Sequence, residues 1–102
     1  MILPFENIWL RIQRELKNGQ VVQNWSMAKG FTGNTFEIVS VTDKAIICNP
    51  PKSTNLQVIS KKEFEKVWEV WDKYLLGKIP RYSLRDMTRF SSYIISILHL
   101  MD

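Results

Sequence analysis

Two segments of this chain carry the same apolar stripe, and between them they restrict the fold severely. Phe5, Ile8, Trp9, Ile12 and Leu16 fall at offsets 0, 3, 4, 7 and 11, and Phe64, Val67, Trp68, Trp71 and Leu75 repeat those offsets. This is the spacing of one face of a 3.6-residue helix, and so broad an apolar face must be buried. Pro4 suits the entry to the first helix and Asn18-Gly19 its exit. The second helix has sharper limits. Ser60 and Glu63 form an S-x-x-E capping box, with Ile59 and Phe64 spaced as a hydrophobic staple. Gly77 closes that helix and Pro80 prevents its resumption, so one long helix is predicted over 61–76.

The residues between the stripes carry β signals. "TFEIVSV" alternates Phe36, Ile38 and Ser40 with Glu37, Val39 and Val41; "TD" turns the chain; "KAIICN" supplies a second strand. "PPKSTN" breaks the ladder, because proline has no amide to donate, and "LQVI" is a short third strand. Val21 and Val22 could begin a strand, but Gly30 and Gly33 mark a loop there. The prediction is an α+β fold: an N-terminal helix, a three-stranded antiparallel meander, then a C-terminal cluster of one long and two shorter helices. A chain of 102 residues, 45% hydrophobic, fits a single domain spanning 1–102.

Most enzyme classes find no support in the residue inventory. Cys48 is the only cysteine, set in an apolar run, so it reads as a reduced core thiol with no metal-ligand spacing around it. His99 is the only histidine and has no ligand-spaced companions. Its neighbouring serines lack a defined acid and oxyanion donors, which leaves no hydrolase triad. The loop holding Gly30 and Gly33 lacks the Walker spacing, and Glu15-Leu16-Lys17 lacks the acidic strand partner of a nuclease centre. No catalytic residue, cofactor or metal is expected. The opening "MILPFENIWL" has no basic n-region and meets Glu6 early, and "YIISILHLM" is far too short for a membrane span. These features point to a cytoplasmic protein without a membrane partner.

The net charge is +4, and its placement is informative. Between 73 and 89 lie five cations, Lys73, Lys78, Arg81, Arg85 and Arg89, against the single carboxylate of Asp86, so this segment alone accounts for the whole excess. A concentrated basic zone suits an anionic partner, nucleic acid first. The final stretch allows two readings. One helix from Ser83 would align Arg81, Arg85, Arg89, Ser92, Ser96 and His99 on one side and Leu84, Met87, Ser91, Ile94, Leu98 and Met101 on the other. A break near Thr88 to Ser91, where Thr and Ser favour caps, would instead leave helices over 83–87 and 91–101. Two further residues stand apart from the helical stripes. Trp25 either packs under the glycine loop or offers a stacking surface, and Lys29 and Phe31 are either ligand contacts or a plain connection.

The run "ISKKEFEKVWEVWDKYLLGKIPRYSLRDMTRFSSYIISIL" resembles the C-terminal half of small α+β domains associated with restriction endonucleases and other phage-defence proteins. Its ending resembles winged-helix and helix-turn-helix sequences, although the turn lacks the glycine common in that motif. The resemblance implies a non-catalytic DNA-recognition or interaction module, with Arg81, Arg89, Ser91 and Ser92 near nucleic acid. Arginine can bridge phosphate oxygens or a guanine edge, and serine bonds either group. The expected nucleic-acid-binding residues are therefore Lys78, Arg81, Arg85, Arg89, Ser91, Ser92 and Ser96, with duplex DNA as the partner. Tight binding would need a homodimer or a fused partner domain. The other expectation is a small accessory or inhibitor protein that binds a larger nucleic-acid enzyme.

Overall fold

A computed structural model describes residues 4–50 and 55–101. The elements follow the order α1 (Phe5–Glu15), β1 (Val21–Ser26), β2 (Gly30–Val41), β3 (Ala45–Asn49), β4 (Gln57–Ser60), α2 (Lys61–Glu69), α3 (Trp71–Leu75), α4 (Arg81–Met87) and α5 (Ser91–Met101). The chain is α+β, as its periodicities predict. One antiparallel sheet runs β1-β2-β3-β4 in sequence order. It has four strands, where the sequence suggests three. The additional strand is β1, and Gly33 lies within β2 and not in a loop. Long-range pairing, such as Val22 with Phe36, supplies what the weak local pattern of "QVVQNWS" does not. Of the "PPKSTN" break, residues 51–54 lie outside the described residues.

Only one face of the sheet is sealed. Val22, Phe36, Ile38, Ile46, Cys48 and Ile59 are buried, while Val21 and Val58, one step away in the pleat, are exposed. The alternation expected in "TFEIVSV" slips once. A register shift between Ile38 and Ser40 leaves Val41 opposite the buried Ile46, so Val41 packs against the core where Ser40 was expected.

The first helix keeps its predicted stripe, with Phe5, Ile8, Trp9, Ile12 and Leu16 all buried. The Trp9 indole N–H donates to the Asp43 carbonyl at 3.1 Å and anchors α1 to the β2–β3 turn. Lys61 Nζ, 2.9 Å from Glu6 Oε1, ties α1 to the start of α2.

The long helix predicted over 61–76 divides at Val70, whose φ of −116° and ψ of 9° interrupt it between α2 and α3. The Val70 amide reaches only three residues back, to the Val67 carbonyl at 3.1 Å. The fully buried stripe becomes Phe64, Val67, Trp71 and Tyr74, with Trp68 and Leu75 half-buried beside it. The capping box also differs from its expectation. Ser60 occupies the N-cap position, but its hydroxyl makes no capping bond. Glu63 instead pairs with Lys66 and lies beside Thr88, as described below.

Of the two readings for the final stretch, the broken one is correct. α4 ends at Met87, Thr88 is extended (φ −156°, ψ 137°), and α5 starts at Ser91. Seven of the eleven residues of α5 are buried, so it is a central helix and not an amphipathic one. It packs against β1 on one side and against α1, α2 and α4 on others. Among the described residues, no helix is long and apolar enough to cross a membrane.

Candidate nucleic-acid interface

Past Lys73, the predicted basic segment continues where α3 stops. The Lys78 amide bonds the Lys73 carbonyl at 2.8 Å and the Gly77 amide bonds that of Tyr74 at 3.0 Å, the paired bonds of a Schellman turn. Gly77 takes φ 74°, a conformation that side chains with a Cβ disfavour. Pro80 then opens α4 directly, which places Arg81 in its first turn and Arg85 one turn later.

Opposite this turn stands the β1–β2 hairpin. Ser26 pairs with Gly30 across a three-residue tip, Met27 to Lys29, with Gly30 at φ 67° absorbing the reversal. Tyr74, buried in α3, accepts the Met27 amide on its hydroxyl at 3.1 Å and so fastens the hairpin tip to the α3 end. The two structures enclose a cleft of about 560 Å³. Met27, Ala28, Tyr74, Ile79 and Pro80 contribute apolar wall, and Lys29, Arg81 and Arg85 contribute charge. Among the described residues, no carboxylate lines it.

Arg81 is the best-positioned of these cations. Its guanidinium is half-buried and donates from Nη1 to Ser91 Oγ at 2.9 Å, a bond that ties the first turn of α4 to the first turn of α5. Burial pulls its pKa below the ordinary arginine value, and the Arg85 charge acts in the same direction. Among the described residues no carboxylate forms an ion pair with Arg81 or Arg85. A half-buried guanidinium without a counter-charge is suited to an incoming anion.

The other expected residues are distributed differently. Lys78 is exposed on the turn that leads into the cleft. Arg89 follows the break at Thr88, so the row of arginines expected from a continuous helix ends at Arg85. Its guanidinium lies over the Phe90 ring, 4.8 Å from the centroid, and its charge reaches Glu63. Ser91 and Ser96 do not present their hydroxyls to a partner, being 2% and 3% exposed. Ser91 holds Arg81, whereas Ser96 accepts the Trp25 amide at 3.0 Å and donates to the Ser92 carbonyl at 2.8 Å. Ser92 is half-buried. Ser91 thus supports the basic surface from beneath, whereas Ser96 holds β1.

Two clusters escape reasoning from sequence. The Glu63 carboxyl lies beside the Thr88 hydroxyl, which holds its pKa below the usual glutamate value against the opposing effect of burial; Lys66 Nζ, 3.3 Å from Oε1, adds to the lowering. Thr88 Oγ1 also accepts the Phe90 amide at 3.2 Å, so this side chain sets the α4–α5 corner beside α2. The second cluster is aromatic. Trp25 and His99 stack with centroids 3.7 Å apart and planes 2° from parallel, and Phe31 meets His99 edge-on at 5.5 Å. A lone histidine gives no signal of this in sequence, and Trp25 shows only as a tryptophan outside the helical stripes. Among the described residues, no three of His, Cys, Asp and Glu converge as a metal site would require. No protein-family model, curated protein or solved structure matches the chain.

Proposed function

We propose that this chain is a non-enzymatic nucleic-acid-binding module that engages duplex DNA through the cations around the cleft. The observation that carries this reading is the convergence of Lys29, Arg81 and Arg85 on one carboxylate-free cleft, with Arg81 held by Ser91 and left without a counter-charge. Lys78 and Arg89 extend the basic surface on either side of that pair in sequence. The buried Ser91 and Ser96 act only through the residues they hold.

If Lys78, Arg81, Arg85 and Arg89 each neutralise one phosphate, the logarithm of affinity falls against log salt with a slope on the order of −3 to −4. A fluorescence-anisotropy titration of mixed-sequence duplex across salt concentrations measures it. Replacing Arg81 and Arg85 together by Ala should flatten the slope by about 2. Absence of duplex binding at low salt would sink the proposal.

A second reading has its own observation. Val21, Phe31 and Leu100, 64%, 59% and 45% exposed, line one shallow hollow with His99. Such a patch suits an accessory or inhibitor protein, a phage or defence component, that docks on a larger nucleic-acid enzyme. That module should retain a protein complex at salt that strips DNA, measured by light scattering after capture from the native host. A strict monomer with no captured protein counts against it.

A further inference from the structure

The cleft has more structure than a flat electrostatic surface requires. Phosphate neutralisation needs only exposed cations, yet Lys29, Arg81 and Arg85 share a concavity of about 560 Å³ with Met27, Ala28, Ile79, Pro80 and Tyr74. That volume lies within the range of small-molecule sites, which pair apolar walls with a few placed polar groups. Duplex DNA keeps its bases stacked and offers such a hollow nothing flat to accept. An unstacked nucleotide offers both halves of the match: a planar base for the apolar wall and an adjoining phosphate for the cations.

We propose that the cleft binds one unstacked nucleotide, its base against the apolar wall formed by Met27, Ala28, Ile79 and Pro80 and its phosphate at Arg81 and Arg85. The inference rests on the nucleic-acid reading above and adds to it a single-nucleotide seat. Charge complementarity identifies the occupant: three cations, no carboxylate among the described lining residues, and one guanidinium already partly desolvated and oriented by the Ser91 hydroxyl. The hairpin tip forms one wall, and its position depends on the Met27 amide bond to Tyr74. Two sources share this chemistry, a free mononucleotide and an unpaired nucleotide within a strand.

The test uses the full chain and two variants that act on different halves of the match. Ala28→Trp fills the cleft from the exposed hairpin tip without altering charge, and Arg81→Ala removes the phosphate contact. The free-ligand arm titrates deoxyadenosine monophosphate, deoxyadenosine and inorganic phosphate by NMR. The expected result is binding of the monophosphate, with deoxyadenosine weaker by about tenfold or more, as loss of a charged hydrogen bond implies, and inorganic phosphate weaker for want of the base. The strand arm follows 2-aminopurine fluorescence in a duplex where that base is either paired or opposite an abasic site. A change confined to the unpaired position and abolished by Ala28→Trp assigns the seat to a nucleotide within a strand. Monophosphate binding with no 2-aminopurine response assigns it to a free nucleotide. The inference is overturned if Ala28→Trp behaves as wild type in both arms, or if neither probe binds. Ordinary duplex affinity separates it from the parent reading: that affinity should survive Ala28→Trp and fall in the Arg81→Ala, Arg85→Ala double variant.

Discussion

Replacing Ser96 by Ala distinguishes a surface contact from an internal support. In the fold, Ser96 Oγ accepts the Trp25 amide at 3.0 Å and donates to the Ser92 carbonyl at 2.8 Å. The Trp25 amide needs that acceptor, because the β1–β2 register slips between Gln23 and Trp25 and disturbs the ladder there. Ser96→Ala leaves a partly buried amide without its partner. Orphaning a buried donor costs about 1–3 kcal/mol, and Trp25 is half-buried, so about 2 kcal/mol is expected. With a urea m-value of about 1–3 kcal/mol/M, the midpoint should fall by on the order of 1 M. The melting temperature should drop by roughly 10 °C. Ser92→Ala is the control: the Ser96 bond uses only the Ser92 carbonyl, so its loss should change stability by no more than about 0.5 kcal/mol. Chemical denaturation of both variants, with DNA anisotropy on the folded proteins, makes the comparison. An unchanged midpoint for Ser96→Ala together with weaker DNA binding would refute the structural role and return Ser96 to the surface.

Two further predictions concern ionisable groups whose pKa the fold shifts. The pKa of Glu63 is lowered in the fold, so its contribution is present above the ordinary value of 4.5 and is lost as pH falls through the lower folded value. The stability gap between wild type and Glu63→Gln should therefore shrink on acidification below about 4.5; a gap independent of pH would contradict the lowered Glu63 pKa. Cys48 behaves in the opposite sense. Burial pushes its thiol up to about 12, so the folded chain keeps the proton while the unfolded chain ionises above its ordinary 9.0, and stability declines as pH rises past that point. Thiol reagents at pH 8 should label Cys48 only at the rate of unfolding, and rapid labelling of the native protein would show that the thiol is accessible.

The legible parts of this chain are those decided over one or two turns. Each apolar stripe is a local pattern, and Phe5, Ile8, Trp9, Ile12 and Leu16 all reach the core. Gly77 and Pro80 punctuate the chain as expected, and the Thr88–Ser91 break follows from residues that favour caps. Two of the three misjudged parts depend on partners distant in sequence. β1 lacks a strong pattern of its own and is held by β2. The interruption at Val70 falls inside a stripe that is periodic through 75. Glu63, the last residue of an apparent capping box, lies beside Thr88 instead.

The same division holds for the candidate site. Sequence by itself determined that the chain's excess charge lies between 73 and 89, because composition and order need no fold to be counted. Which of those charges share a concavity was decided only by tertiary structure. Tyr74 must meet the Met27 amide 47 residues away before the cleft exists, and Ser96 must meet Trp25 across 71 residues before α5 seats against β1. Local periodicity places a side chain on a face of its own helix. Only packing decides whether that face meets solvent, and in α5 the packing surrounds the helix and turns two expected contact serines into internal supports.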